Sequence, residues 1–177
     1  CSLVGSEMCI RDRPTGITFV EEMERLGIVI DLSHLNDAGI RDVFAHTRGP
    51  VIASHSNARG ACFHLRNLSD EMIRQLAERG GVTGINFCPS FLREEPAAKK
   101  ASTMDMVRHM KYLRNVGGID IIGLGTDFDG FSGETDVPDT AHMQHLADVM
   151  SHDGFTDEEI EKVFSKNVLR VFRECWK

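Results

Sequence analysis

The sequence predicts an α/β fold built on parallel strands, and three observations carry that prediction. Four short apolar runs punctuate the chain: IVIDL (28–32), VIAS (51–54), GVTGINF (81–87) and IDIIGLG (119–125). Helical patterns of about ten residues or more separate them, so the strands are joined by crossovers rather than hairpins. The runs are mostly apolar rather than alternating, as strands covered on both faces are. Two architectures fit this order, an open doubly wound sheet and part of a (β/α)8 barrel. Both gather their chemistry at the carboxyl ends of the strands.

The elements follow in order. FVEEMERLG places Phe19, Val20, Met23 and Leu26 at helical spacing, with Gly27 as the stop. The first strand comes next, then a helix near 36–47, then the second strand. In LSDEMIRQLAERGG, Ser69 is a good N-cap, acids fill the first turn and Gly80 closes the helix. The third strand runs into a polar loop, REEPAAKK (93–100). Ser102 caps a helix reaching about Val116, which Gly117 and Gly118 end before the fourth strand. A loop with Gly133 and Pro138 leads to helices near 140–150 and 157–174. The last has a capping box, Thr156 with Glu159, and an apolar face of Ile160, Val163, Phe164, Val168 and Phe172.

Composition bounds the function. The 177 residues are enough for one domain with a real core. A formal charge of −7 without a basic stripe argues against a nucleic-acid partner. No apolar run approaches the ~20 residues of a membrane span, and no signal-peptide pattern is visible, so the expected location is cytoplasmic. The cysteines at 1, 9, 62, 88 and 175 form no CxxC pair, which suits a reducing compartment.

The polar residues stand where a parallel sheet puts its chemistry. His34 and His55 each end an apolar strand. Counted back in twos, His34 shares a face with Leu32 and Ile30, and His55 with Ala53 and Val51. Asn86 and Asp127 end the third and fourth strands in the same way, so all four can face one mouth. A single strand-end histidine is usually a hydrogen-bonded core group, but two on successive strands can form one wall of a zinc site. Asp127 fits a proton shuttle or metal ligand, with capping of the next turn as its plain alternative. Arg66 in FHLRN has a fork suited to a substrate carboxylate, although most arginines simply lie on the surface. The histidines at 46, 64, 109, 142, 145 and 152 are expected on the surface. GLGTDFDG lacks both the GxGxxG spacing of a dinucleotide site and the later ligands of a calcium loop.

Several motifs together resemble one family. RLGIVIDLSH, PVIASHSNARG with HLRN, GVTGINF, GLGTDFDG and the closing NVLRVF are similar to the membrane (renal-type) dipeptidases and their bacterial relatives, the M19 metallopeptidases, from about Pro14 onward. The resemblance implies a TIM-type (β/α)8 metal-dependent hydrolase fold, two zinc ions and hydrolysis of dipeptides. It implies His34 and His55 as ligands of the second zinc, Arg66 as the group holding the substrate carboxylate, and Asp127 as the acid handling the proton of the attacking water. Near Phe91, where members often carry tyrosine, the sequence departs from the pattern.

The family's HxD motif, bridging glutamate and oxyanion-stabilising histidine have no counterpart here, so residues 14–177 are expected to represent the C-terminal half, strands 5–8 with their helices. Residues 1–13, CSLVGSEMCIRDR, resemble translated adapter read-through and are expected to be a non-native tail. A half barrel has open strand edges, so inactivity alone and association between copies are expected. Two other readings stand beside this one: another metal-dependent amidohydrolase or lactamase on the same barrel, and a non-catalytic open-sheet binding module.

Overall fold

The structure, a computed structural model, describes residues 14–95 and 98–176. The expected tail over 1–13, and Pro96 and Ala97 of the polar loop, lie outside the described residues. Helix α1 (Pro14–Arg25) runs to the left-handed Gly27. Asn36 caps α2 (Asp37–His46), its side chain accepting from the Gly39 N–H. Strand β1 (Ile52–Ala53), Ser69-capped α3 (Asp70–Glu78), and β2 (Val82–Ile85) follow. A short turn of helix, α4 (Pro89–Leu92), and β3 (Lys100–Ala101) precede α5 (Thr103–Gly117), which opens with a Ser102/Asp105 capping box. Strands β4 (Ile122–Leu124) and β5 (Glu134–Thr135) lead to α6 (Met143–His152). The chain closes with α7 (Asp157–Glu161), which carries the Thr156/Glu159 capping box, a π-helical turn over Lys162–Lys166, and α8 (Asn167–Cys175). No described helix is long and apolar enough to cross a membrane.

The sheet is parallel in the order β1–β2–β4, with Ile52 opposite Val82 and Thr83 opposite Ile122. Every residue of β2 is buried, as a central strand covered on both faces requires. Phe87, Ile85, Ile122, Leu32, Met106 and Leu113 lead the core between sheet and helices. Buried Asn167 ties the last helix to the sheet by donating to the Ile119 and Ile122 carbonyls, each at 2.8 Å.

Three expectations need correction. The run over 28–32 lies parallel to β1 but joins it by a single bridge, Asp31 to Ile52. Its ladder stops there because the Asp31 carboxylate takes the Ser54 N–H at 2.9 Å, the donor that would have continued the pairing. The run over 119–125 opens as a 3-10 turn, Ile119–Ile121, before β4. His109, expected on the surface, is fully buried on α5. Its Nδ1 accepts the Ala58 N–H and its Nε2 donates to the Leu92 carbonyl, both at 3.2 Å, so the ring is neutral and fully used in the core. The sequence also gave no warning of the parallel pair β3–β5, which is only two residues long.

Candidate metal and substrate site

His55 leaves the carboxyl end of β1, Asn86 that of β2 and Asp127 that of β4. His34 ends the 28–32 segment beside β1. Strict alternation does not deliver the last two. His34 has φ 78° and Asp127 φ 58°, both left-handed, so each side chain is turned into place at its strand's end. For non-glycine residues that conformation costs about 1–2 kcal/mol, and it persists where surrounding structure fixes it, often at functional sites. Close approach of the strand ends needs glycine at Gly84 of β2, where a Cβ would run into the Ser54 carbonyl and the Gly125 backbone, and again at Gly125. A Cβ on Gly125 would run into the Ser54 carbonyl and the His55 Cα, so only glycine lets the end of β4 lie against the segment carrying His55.

The two imidazoles meet. His34 Nε2 lies 2.9 Å from His55 Nε2, with the rings tilted by 60° and their centroids 4.9 Å apart. Two nitrogens bound to one tetrahedral zinc at about 2.0–2.1 Å would stand about 3.3 Å apart, a few tenths of an ångström from the present spacing. The donor set therefore fits one wall of a zinc site. Among the described residues no group of three or more His, Cys, Asp or Glu is gathered to hold a metal.

Fully buried Asn86 joins the other strand ends. Its Nδ2 donates to Asp127 Oδ2 at 3.0 Å and reaches the His55 carbonyl at 3.4 Å. Asn86 is itself clamped, its N–H donating to Asn57 Oδ1 (2.8 Å) and its carbonyl accepting from Asn57 Nδ2 (2.9 Å). The Gly130 N–H donates to the Asp127 carbonyl at 2.9 Å and closes the turn behind it. Asp127 is thus held through Oδ2.

Arg66 stands beside this group with its guanidinium carbon 5.5 Å from the Phe91 ring centroid. Its Nη2 is buried and has no hydrogen-bond partner. Burial lowers its pKa, against the attraction of Asp127, Asp31 and Cys88. Burial, then the charges of Arg66 and His55, hold His34 below the ordinary imidazole value, against Asp127 and Asp31. Both residues therefore sense the same two carboxylates. A buried N–H donor left unpaired costs about 1–3 kcal/mol, so its natural complement is an anion brought from outside.

The structure thus gathers His34, His55, Asn86 and Asp127 at one mouth, with Arg66 in the same field. Sequence reasoning missed Asp31, Ser54 and Asn57. Asp31 left a visible signal as a charge inside an apolar run. Ser54 and Asn57 left none, because their partners lie 23 and 29 residues away.

A parallel α/β sheet with two imidazoles in contact and a carboxylate nearby at its strand ends is an arrangement that metal-dependent hydrolysis could use, and comparison with known proteins places the chain in a family. Residues 13–176 match the family described as membrane dipeptidase, peptidase family M19. The chain belongs to that family. It is 34% identical over 162 residues to dipeptidase tcpJ of Claviceps purpurea, covering 91% of this chain and 38% of that protein. Two crystal structures are similar, each 32% identical with a TM-score of 0.88 over 93% of this chain: the M19 metallopeptidase dipeptidase AC, and a metallopeptidase from Rhodobacter sphaeroides liganded with a phosphinate mimic of the dipeptide L-Ala-D-Ala. The chain covers 49% and 47% of those two, so it spans about half the length or less of these three proteins. Its α/β fold is that of the M19 dipeptidase structures.

Proposed function

We propose that this chain carries one side of a zinc-dependent dipeptide-hydrolysing site: the pair His34 and His55 for one metal ion, Arg66 for the substrate carboxylate and Asp127 for proton transfer. The observation that carries the reading is the 2.9 Å convergence of two Nε2 atoms beside a buried, unpartnered arginine nitrogen. Zinc held there would supply a Lewis acid for the peptide carbonyl and a water of pKa about 7. The chain's own residues do the rest. Arg66 pairs its buried Nη2 with the C-terminal carboxylate and so fixes where the peptide bond lies. Asn86 occupies Asp127 Oδ2, which leaves Oδ1 to take the proton of the attacking water and return it to the departing amine nitrogen as the C–N bond breaks.

The reading extends to the whole protein. The described strands correspond to strands 5–8 of a (β/α)8 barrel, and the 28–32 segment is an edge at which copies associate. Catalytic zinc usually has three protein ligands, and two histidines are fewer. The chain alone is therefore inactive, its remaining ligands coming from the other half of the barrel. The test is dipeptide hydrolysis with added zinc, by the chain alone and mixed with a separately made N-terminal half of a close relative. Turnover only on mixing is expected. Robust zinc-dependent turnover by the chain alone would contradict the reading.

A further inference from the structure

We infer that Asp31 and Ser54 are positioning residues that fix His55 as its Nδ1–H tautomer and so aim a lone pair from Nε2 at the site. The inference rests on the reading of His55 as a metal ligand and concerns how that ligand is prepared. Asp31 is anchored first. Its Oδ1 accepts two backbone N–H groups, Ser33 at 3.0 Å and Ser54 at 2.9 Å, which hold the carboxylate across the gap between its own segment and β1. Its Oδ2 receives the Ser54 hydroxyl at 2.5 Å. Ser54 Oγ also lies 2.7 Å from His55 Nδ1.

A hydroxyl has one proton and two lone pairs. With the proton given to Asp31, Ser54 can only accept from His55, so the imidazole N–H must be on Nδ1. A neutral imidazole carries one N–H, and Nε2 is left as the acceptor facing His34. The His55 backbone is pinned as well, its N–H donating to Ser33 Oγ at 2.9 Å. Carboxylates that act on metal-bound imidazoles in this way orient the ring and raise its basicity. Here the serine carries that influence one atom further. An alternative confines Asp31 to tying off the strand end through the two backbone N–H groups, with no say in the tautomer.

Asp31→Asn separates the two roles. The asparagine Oδ1 keeps both backbone hydrogen bonds, but its Nδ2 must donate to Ser54 Oγ. The hydroxyl proton then turns to His55 Nδ1, and the N–H moves to Nε2. The tautomer is read from the two-bond proton–nitrogen spectrum of the histidine-labelled, metal-free chain at about pH 8.5, well above the ordinary imidazole pKa of about 6.5. Expected are Nδ1–H for His55 in the wild-type chain and Nε2–H in Asp31→Asn. Zinc affinity, measured by competition with a chromogenic chelator, should fall roughly 10- to 100-fold in the variant.

Nε2–H in the wild-type chain, or an unchanged tautomer in folded Asp31→Asn, would overturn the inference. The wild-type spectrum decides alone if the variant does not fold. The expected tautomers, together with a zinc affinity that neither His34→Ala nor His55→Ala lowers in the chain mixed with the N-terminal half of a close relative, would uphold the relay and sink the metal reading instead.

Discussion

Arg66→Ala is expected to lower kcat/KM for free dipeptides by roughly 10- to 150-fold in the assembled enzyme, the equivalent of one charged hydrogen-bonded contact of about 1.5–3 kcal/mol. The loss should be selective. A C-terminally amidated dipeptide offers no carboxylate, so the wild-type enzyme already handles it poorly and the substitution should change it little. In the variant the two substrates become similarly poor. The physical basis is the buried Nη2, which finds no acceptor in the protein. A structural arginine would be paired, whereas this one is buried at a cost and faces a site bearing Asp127 and Asp31. A variant that kept its preference for the free acid would show that Arg66 acts through packing, for example against Phe91. A poorer outcome for lysine than arginine is also expected, since an ammonium cannot reproduce the planar fork.

His109 should make the fold acid-sensitive in a defined window. Burial, opposed by the Leu92 hydrogen bond and by Asp105 and reinforced by Arg108, lowers its pKa from 6.5 to about 4. Between those values the unfolded chain binds a proton that the folded chain refuses, so stability falls as the pH falls. The contribution is fully present above about pH 6.5 and has gone by about pH 4, a change of about 3 kcal/mol. Gln can keep the two hydrogen bonds without titrating, accepting from Ala58 and donating to Leu92. Urea unfolding across this range should give His109→Gln a flatter profile than the wild-type chain by about that amount. Parallel profiles would mean that His109 takes up its proton without unfolding.

Much of this was legible in the sequence because strands and helices advertise themselves by period. The apolar runs located β1, β2 and β4, and the polar residues ending them marked the mouth. Caps at Ser69, Ser102 and Thr156 were readable because a cap is a local event of three or four residues. What escaped was whatever depends on distant partners. Asp31 cuts the first strand short by reaching across to Ser54, and no spacing rule could have paired them. The left-handed turns at His34 and Asp127 break the alternation used to assign their faces, yet bring both to the expected place. His109 could have been caught, since it shares a helical face with Met106, Met110 and Leu113, all fully buried. Its type suggested the surface, and its position decided the core.

The most direct test of the central claim, that His34 and His55 hold one ion between them, is a zinc-edge anomalous difference map from crystals of the chain grown with zinc. The account predicts one peak about 2.0–2.1 Å from both Nε2 atoms, with those atoms moved apart to about 3.3 Å, and no such peak in His55→Ala. A map in which the two imidazoles stay within hydrogen-bonding distance of each other while zinc binds elsewhere would contradict it.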